Sequence, residues 1–180
     1  MNQPMDRNFK LLRDELAKAL AGLDERQTQL KPGGDPARWS IQQIVGHLLL
    51  TYKATIEAVD ARVAKGAATK ASPSVAQRVG QFALCRIGYF PRGRLAPERV
   101  TAATDAPAVP GVGLTAQADA AIGEMDRRFT AGEQIFGSRR RAISHMVLGP
   151  LSIGQWRRFH LIHGRHHIKQ IARIRQEYGI

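Results

Sequence analysis

The chain has 180 residues, with 27 lysines and arginines against 15 aspartates and glutamates, a net charge of +12, 43% apolar residues and one cysteine. That length suits a single domain over 1–180 with its own core, and the lone Cys85 excludes an intramolecular disulfide and any multi-cysteine zinc site. No apolar run approaches the ~20 residues of a membrane span, and the opening MNQPMDRNFK lacks the apolar stretch of a signal peptide, so a cytoplasmic location is expected.

In chain order, Phe9, Leu12, Leu16, Leu20 and Leu23 recur at three and four, which predicts a first amphipathic helix from about residue 7 to 25. The segment KPGGDPAR stops it, and so short a connection favours an antiparallel neighbour. Ser40, with Gln43 three residues on, forms a capping box for a second helix running to about Lys65, with Ile41, Ile44, Val45, Leu48, Leu49 and Tyr52 on its apolar face. His47 lies on the edge of that face, where a histidine reads as a satisfied core residue, a half-exposed one or a ligand.

From Gly66 to about Leu114 the periodicity breaks down. A short helix is predicted from Ser74 to Tyr89 on the spacing of Val75, Val79, Phe82 and Ile87. Pro91, Pro97, Pro107 and Pro110 then mark a crossover outside a bundle. Cys85, inside the run FALCRIGYF, reads as a small buried side chain rather than a reactive thiol.

Thr115 is the expected cap of a third long helix to about Phe136, with Ile122, Met125, Phe129 and Phe136 inward. GSRRRAISHMVLGP follows as a loop holding His145. Arg139-Arg140-Arg141 is the one arginine run of the chain, and no aromatic residues interleave with it. The positive charge therefore reads as a solvated basic surface rather than a nucleic-acid interface. No strand pattern holds for more than about four residues, so the fold class is all-α, a four-helix bundle with one long crossover.

The last helix, opened by the capping box of Ser152 and Gln155 and running to Tyr178, carries four of the six histidines. Ile153, Trp156, His160, His163, His167, Gln170 and Ile174 follow at alternating steps of three and four, the spacing of a buried seam whose middle is polar. His163 and His167, one turn apart, sit on one side at a separation suited to a shared divalent ion. A third ligand has to come from another helix, and His47 is the one histidine outside the last two segments. His160 reads as a support behind a ligand, a pocket wall beside Trp156, or a packed core residue; Gln170 as a group that orients the His167 ring or caps the polar layer. His166 points away from the pair. There is no G-x-S-x-G, no H-E-x-x-H and no phosphate-cradling glycine loop.

Trp39-Ser40, His47-Leu48 and the run from His163 to Gln170, H-x-x-H-H-x-x-Q, together resemble the DinB-like superfamily of four-helix-bundle metalloproteins. The longer tail W-x-x-F-H-x-x-H-x-x-H-H-x-x-Q is similar to an uncharacterised branch of that group, in which a proline follows the loop histidine; here Met146 follows His145. The resemblance implies an up-down-down-up bundle, a divalent ion such as zinc or nickel on His47, His163 and His167, and a homodimer. It also implies a small-molecule substrate, with chemistry on a low-molecular-weight thiol (S-transferase-like) or on water (hydrolase-like). The alternative it leaves is a metal-binding or stress-response protein of the same fold without turnover.

Overall fold

A computed structural model describes residues 4–89, 100–103 and 106–180. The predicted crossover positions Pro91 and Pro97 lie outside the described residues. The helices are α1 (Arg7–Leu20), α2 (Glu25–Thr28), α3 (Ile41–Ala64), α4 (Val75–Phe82), α5 (Gly111–Phe136) and α6 (Ile153–Tyr178), with a hairpin of β1 (Arg141–His145) and β2 (Gly149–Ser152) between the last two.

Long helices α1, α3, α5 and α6 make the bundle, and contacts between them fix its direction. Along α1 and α6, Asp6 faces Arg157 at 3.7 Å, Glu15 faces Arg165 at 2.8 Å and the Ala19 carbonyl accepts from Arg175 at 2.8 Å, so the two run parallel. Between α1 and α5 the order reverses: Asp6 meets Asp126, Arg13 meets Asp119, and the Leu23 carbonyl accepts from the Gly111 N–H. Helices α3 and α5 run parallel, with Gln42 bonded to Pro107 and Val109 and Asp60 facing Arg128. Helices α3 and α6 are antiparallel, with Trp39 beside His167 and Tyr52 beside His160. The topology is up-down-down-up.

The apolar spacings expected from the sequence fill the interior. Phe9, Leu12, Leu16 and Leu20 of α1, Ile41, Ile44, Leu48 and Val59 of α3, Ile122, Met125 and Phe129 of α5, and Ile153, Ile171 and Ile174 of α6 are all buried. Burial of such side chains stabilises by roughly 1.5–3 kcal/mol each before conformational entropy is counted. Both anticipated capping boxes form, Ser40 with Gln43 and Ser152 with Gln155, and two more join Asp24 with Gln27 at α2 and Ser74 with Gln77 at α4.

Several boundaries differ from the sequence expectation for local reasons. Helix α1 ends at Leu20, because Gly22 turns the chain at φ 76° and Asp24 caps the separate α2. Helix α5 starts at Gly111 rather than after Thr115; the Thr115 hydroxyl instead donates to the Gly111 carbonyl inside the helix. A Cβ at Gly111 would stand 2.1 Å from the Leu20 carbonyl oxygen, so the close approach of α1 and α5 requires glycine there. The predicted loop holding His145 is a β-hairpin, pairing Ile143 with Leu151 and His145 with Gly149. Its strands bury residues without alternation, which hides them from a period-two reading.

The short predicted helix is present as α4 followed by one π-helical turn, Ala83–Ile87. Its signature residues Val75, Val79, Phe82 and Ile87 are exposed, whereas Gln81 is buried and its amide donates to the carbonyls of Leu148 and Pro150. Polar contact with the hairpin thus orients this element. Among the described residues no helix is long and apolar enough to cross a membrane.

Candidate metal centre

Helices α3 and α6 cross with their polar positions facing each other. His47 comes from the second turn of α3, and His163 and His167 from adjacent turns of α6; all three are buried. The Nε2 of His163 stands 3.3 Å from Nε2 of His47 and 3.0 Å from Nε2 of His167. One ligating nitrogen from each residue lies within 4.8 Å of the others, so the three predicted positions meet across 116 residues of sequence.

The outer nitrogens of two rings are tied down. The Nδ1–H of His47 donates to the Val100 carbonyl at 2.8 Å, and the Nδ1–H of His167 donates to the Gln170 side-chain oxygen at 2.8 Å. A neutral imidazole has one proton, so both rings then turn an Nε2 lone pair inward toward His163. His163 has at most one proton on Nε2 and can satisfy only one of them. A cation resolves the remaining lone-pair repulsion. Two nitrogens each about 2.0–2.1 Å from one tetrahedral ion stand about 3.3 Å apart, close to the spacings seen here.

Electrostatics favours the same form. Burial holds the His163 ring well below the ordinary imidazole range, reinforced by the neighbouring rings of His167 and His47. Burial, followed by the neighbouring His47 ring, lowers His167 to about 3. Burial also lowers His47, against the raising effect of its bond to Val100. All three rings are therefore neutral at pH 7, the protonation state a metal ligand requires.

The other sequence candidates take distinct places. Gln170 joins both readings, since its oxygen accepts from His167 while its amide nitrogen lies 3.3 Å from the His166 ring. Half-buried His166 is thus a hydrogen-bonding neighbour outside the cluster. His160 is fully buried among Tyr52, Phe9, Phe129, Trp156 and Phe159, as a packed core residue. Trp156 stacks on His160 and donates its Nε1–H to the Ile143 carbonyl, which places it in the layer between the hairpin and the core. His145 packs on Trp156 and Phe159, and its Nδ1 accepts the N–H groups of Val147 and Leu148, closing the hairpin turn. Half-buried Cys85 is held up in pKa by burial, its thiol directed at the Gln155 carbonyl.

Two contributors carried no role in the sequence reading. Phe159 lies one turn before His163 and stacks on its ring at 5.4 Å, a position the seam spacing points to. Val100 supplies a backbone carbonyl from the crossover, which no side-chain pattern announces. Trp39 packs on His47 at 5.0 Å and on His167 at 6.4 Å, so the tryptophan of the Trp39-Ser40 pair walls the cluster.

An up-down-down-up bundle closing on three inward imidazoles defines a helical-bundle protein with a three-histidine site able to hold a metal ion. The family model of the DinB superfamily matches residues 8–171, and the chain belongs to that superfamily. No curated protein and no solved structure matches it significantly.

Proposed function

We propose that this protein is a metal-dependent enzyme in which His47, His163 and His167 hold a divalent transition ion, zinc or nickel, beside a small-molecule site. The observation that carries the reading is the pair of outward Nδ1–H anchors on Val100 and Gln170, which turn two lone pairs onto the His163 nitrogen. Three imidazoles leave coordination positions open, the pattern of catalytic rather than structural sites. When bound, such an ion acts as a Lewis acid that brings the pKa of a coordinated thiol or water toward neutrality.

The chain's own residues supply the surroundings. Val100 and Gln170 hold the tautomers of His47 and His167, and such outer partners commonly contribute 10–100-fold to metal affinity. Trp39 and Phe159 cover ring faces and keep the cluster in an apolar setting that strengthens its electrostatics. A low-molecular-weight thiol or water is the proposed nucleophile toward an electrophilic small molecule.

The test starts with metal content of the purified protein beside a His163→Ala, His167→Ala variant. The expected result is about one ion per chain, lost in the variant; equal content in both overturns the site. Metal-loaded protein is then assayed on electrophiles with and without cellular thiols. Turnover that needs both the ion and a thiol supports transferase chemistry, and turnover without thiol supports hydrolysis. A blank panel with the ion bound returns the protein to the non-catalytic alternative.

A further inference from the structure

Away from the histidine cluster, a hollow of about 670 Å³ lies between the α4 region, the hairpin and the start of α6. That volume falls within the roughly 300–1,000 Å³ of small-molecule sites. Arg78 of α4, Arg86 of the π-helical turn, Arg139 and Arg141 at the start of the hairpin, and Arg158 of α6 all line it. Among the described residues, no aspartate or glutamate does. Among the described residues, none of these five arginines forms an ion pair. Elsewhere the fold sets Arg13, Arg128, Arg157 and Arg165 against carboxylates.

Three separate chain segments thus bring five like charges to one concavity, at a cost in mutual repulsion that an anionic ligand removes. A solvated arginine face does not require such convergence. We propose that this hollow binds a small polyanion with adjacent anionic groups, of the diphosphate class. Five guanidiniums exceed what one monoanion neutralises, and the planar guanidinium fork suits phosphate oxygens in bidentate pairs. The side-chain amides of Gln81 and Gln155 at the wall are already engaged, Gln81 donating to the Leu148 and Pro150 carbonyls, Gln155 donating to the Gln81 oxygen and accepting from the Ser152 N–H. The backbone donors of the first turn of α6 are already engaged, Gly154 N–H with the Ser138 carbonyl and Gln155 N–H with the Ser152 hydroxyl, so the arginines are the readers. Cys85 also lines the hollow, and burial keeps its thiol protonated despite Arg158 and Arg86, which fits binding rather than covalent capture.

The site is separate from the metal centre. On a helix turning about 100° per residue, Gly154 and Arg158 point roughly 140–180° away from His163. Binding here therefore stands or falls independently of the ion.

Calorimetric titration of the full chain with inorganic pyrophosphate at low ionic strength tests the proposal. Expected is one saturable site, weakened by added salt and binding orthophosphate at least tenfold less tightly. Two double variants, Arg141→Gln with Arg158→Gln and Arg86→Gln with Arg139→Gln, each lose at least tenfold, while Arg173→Gln, on the exposed far half of α6, keeps the affinity. Absence of saturable binding, or wild-type affinity in both double variants, overturns the site. Citrate binding more tightly than pyrophosphate overturns the phosphate assignment. A DNA duplex that binds and is not displaced by pyrophosphate overturns the small-molecule reading in favour of nucleic acid.

Discussion

Gln170 holds His167 from one turn further along α6, its side-chain oxygen 2.8 Å from Nδ1 of the ring. Because the same amide reaches His166 through its nitrogen, the oxygen is the atom left to accept from His167, and the tautomer follows. Gln170→Ala is expected to leave the fold intact, since this side chain is only half-buried, and to weaken zinc binding about 10–100-fold. Gln170→Glu, which keeps the acceptor, retains most of the affinity. Competition with a chromophoric chelator measures both, and an unchanged constant in the alanine variant removes Gln170 from the site.

His160 sets a pH dependence of stability. Burial first, and His145 second, lower its pKa from 6.5 to about 3, and neither ring nitrogen has a hydrogen-bond partner among the described residues. The unfolded chain therefore binds a proton between those values that the folded chain refuses. Stability is fully present above pH 6.5 and falls as pH drops toward 3, by up to about 1.4 kcal/mol per pH unit for this residue. His160→Phe removes one proton from that slope, and it stabilises the protein at pH 7 by roughly 1 kcal/mol through loss of unsatisfied buried polar atoms. Urea unfolding with chelator present, at several pH values between 7.5 and 4.5, checks both effects; identical slopes in the two proteins refute the assignment.

Legibility in the sequence follows the kind of signal each feature leaves. Side-chain spacing and capping chemistry are written in residue types, so Phe9, Leu12, Leu16 and Leu20, the boxes at Ser40 and Ser152, and the convergence of His163 and His167 can be read directly. His47 needed the antiparallel crossing of α3 and α6 to meet them, and the resemblance supplied that topology in advance. Backbone groups leave no such trace: the Val100 carbonyl that fixes His47 comes from a segment without periodicity. The hairpin is hidden because β2 is buried along its whole length, and α4 misleads because its apolar residues face out while Gln81 makes the inward bonds. The hollow of arginines escapes because Arg78, Arg86, Arg141 and Arg158 are scattered in sequence and gathered only by the fold.

Gly111 marks a close approach of α1 and α5. Its N–H donates to the Leu23 carbonyl, and an added Cβ would meet the Leu20 carbonyl oxygen, a backbone atom without rotamer freedom. Gly111→Ala is expected to cost about 1–3 kcal/mol, because relief requires moving α1 against α5. Gly123→Ala, where the nearest atom is the flexible end of Arg127 at 3.8 Å, serves as the comparison and is neutral or stabilising through helix propensity. Thermal unfolding of both separates the effects, and equal losses would mean that the α1–α5 approach does not depend on this glycine.

Metal linkage gives the last prediction. An ion that binds the folded cluster and not the unfolded chain stabilises by RT ln(1 + [L]/Kd), about 2.7 kcal/mol at a hundredfold excess over Kd. Zinc or nickel should therefore raise the melting temperature of wild type and leave His47→Ala with little or no gain. The pH dependence carries a sign as well. Because all three imidazoles are held below the ordinary range, the cluster stays neutral as pH falls through 6.5, and the metal-dependent increment persists there rather than collapsing at the pKa of free imidazole. Melting with and without zinc at pH 7.5, 6.5 and 5.5 reads this directly. Loss of the increment already at 6.5 would show that the rings titrate as exposed histidines and do not form a closed cluster.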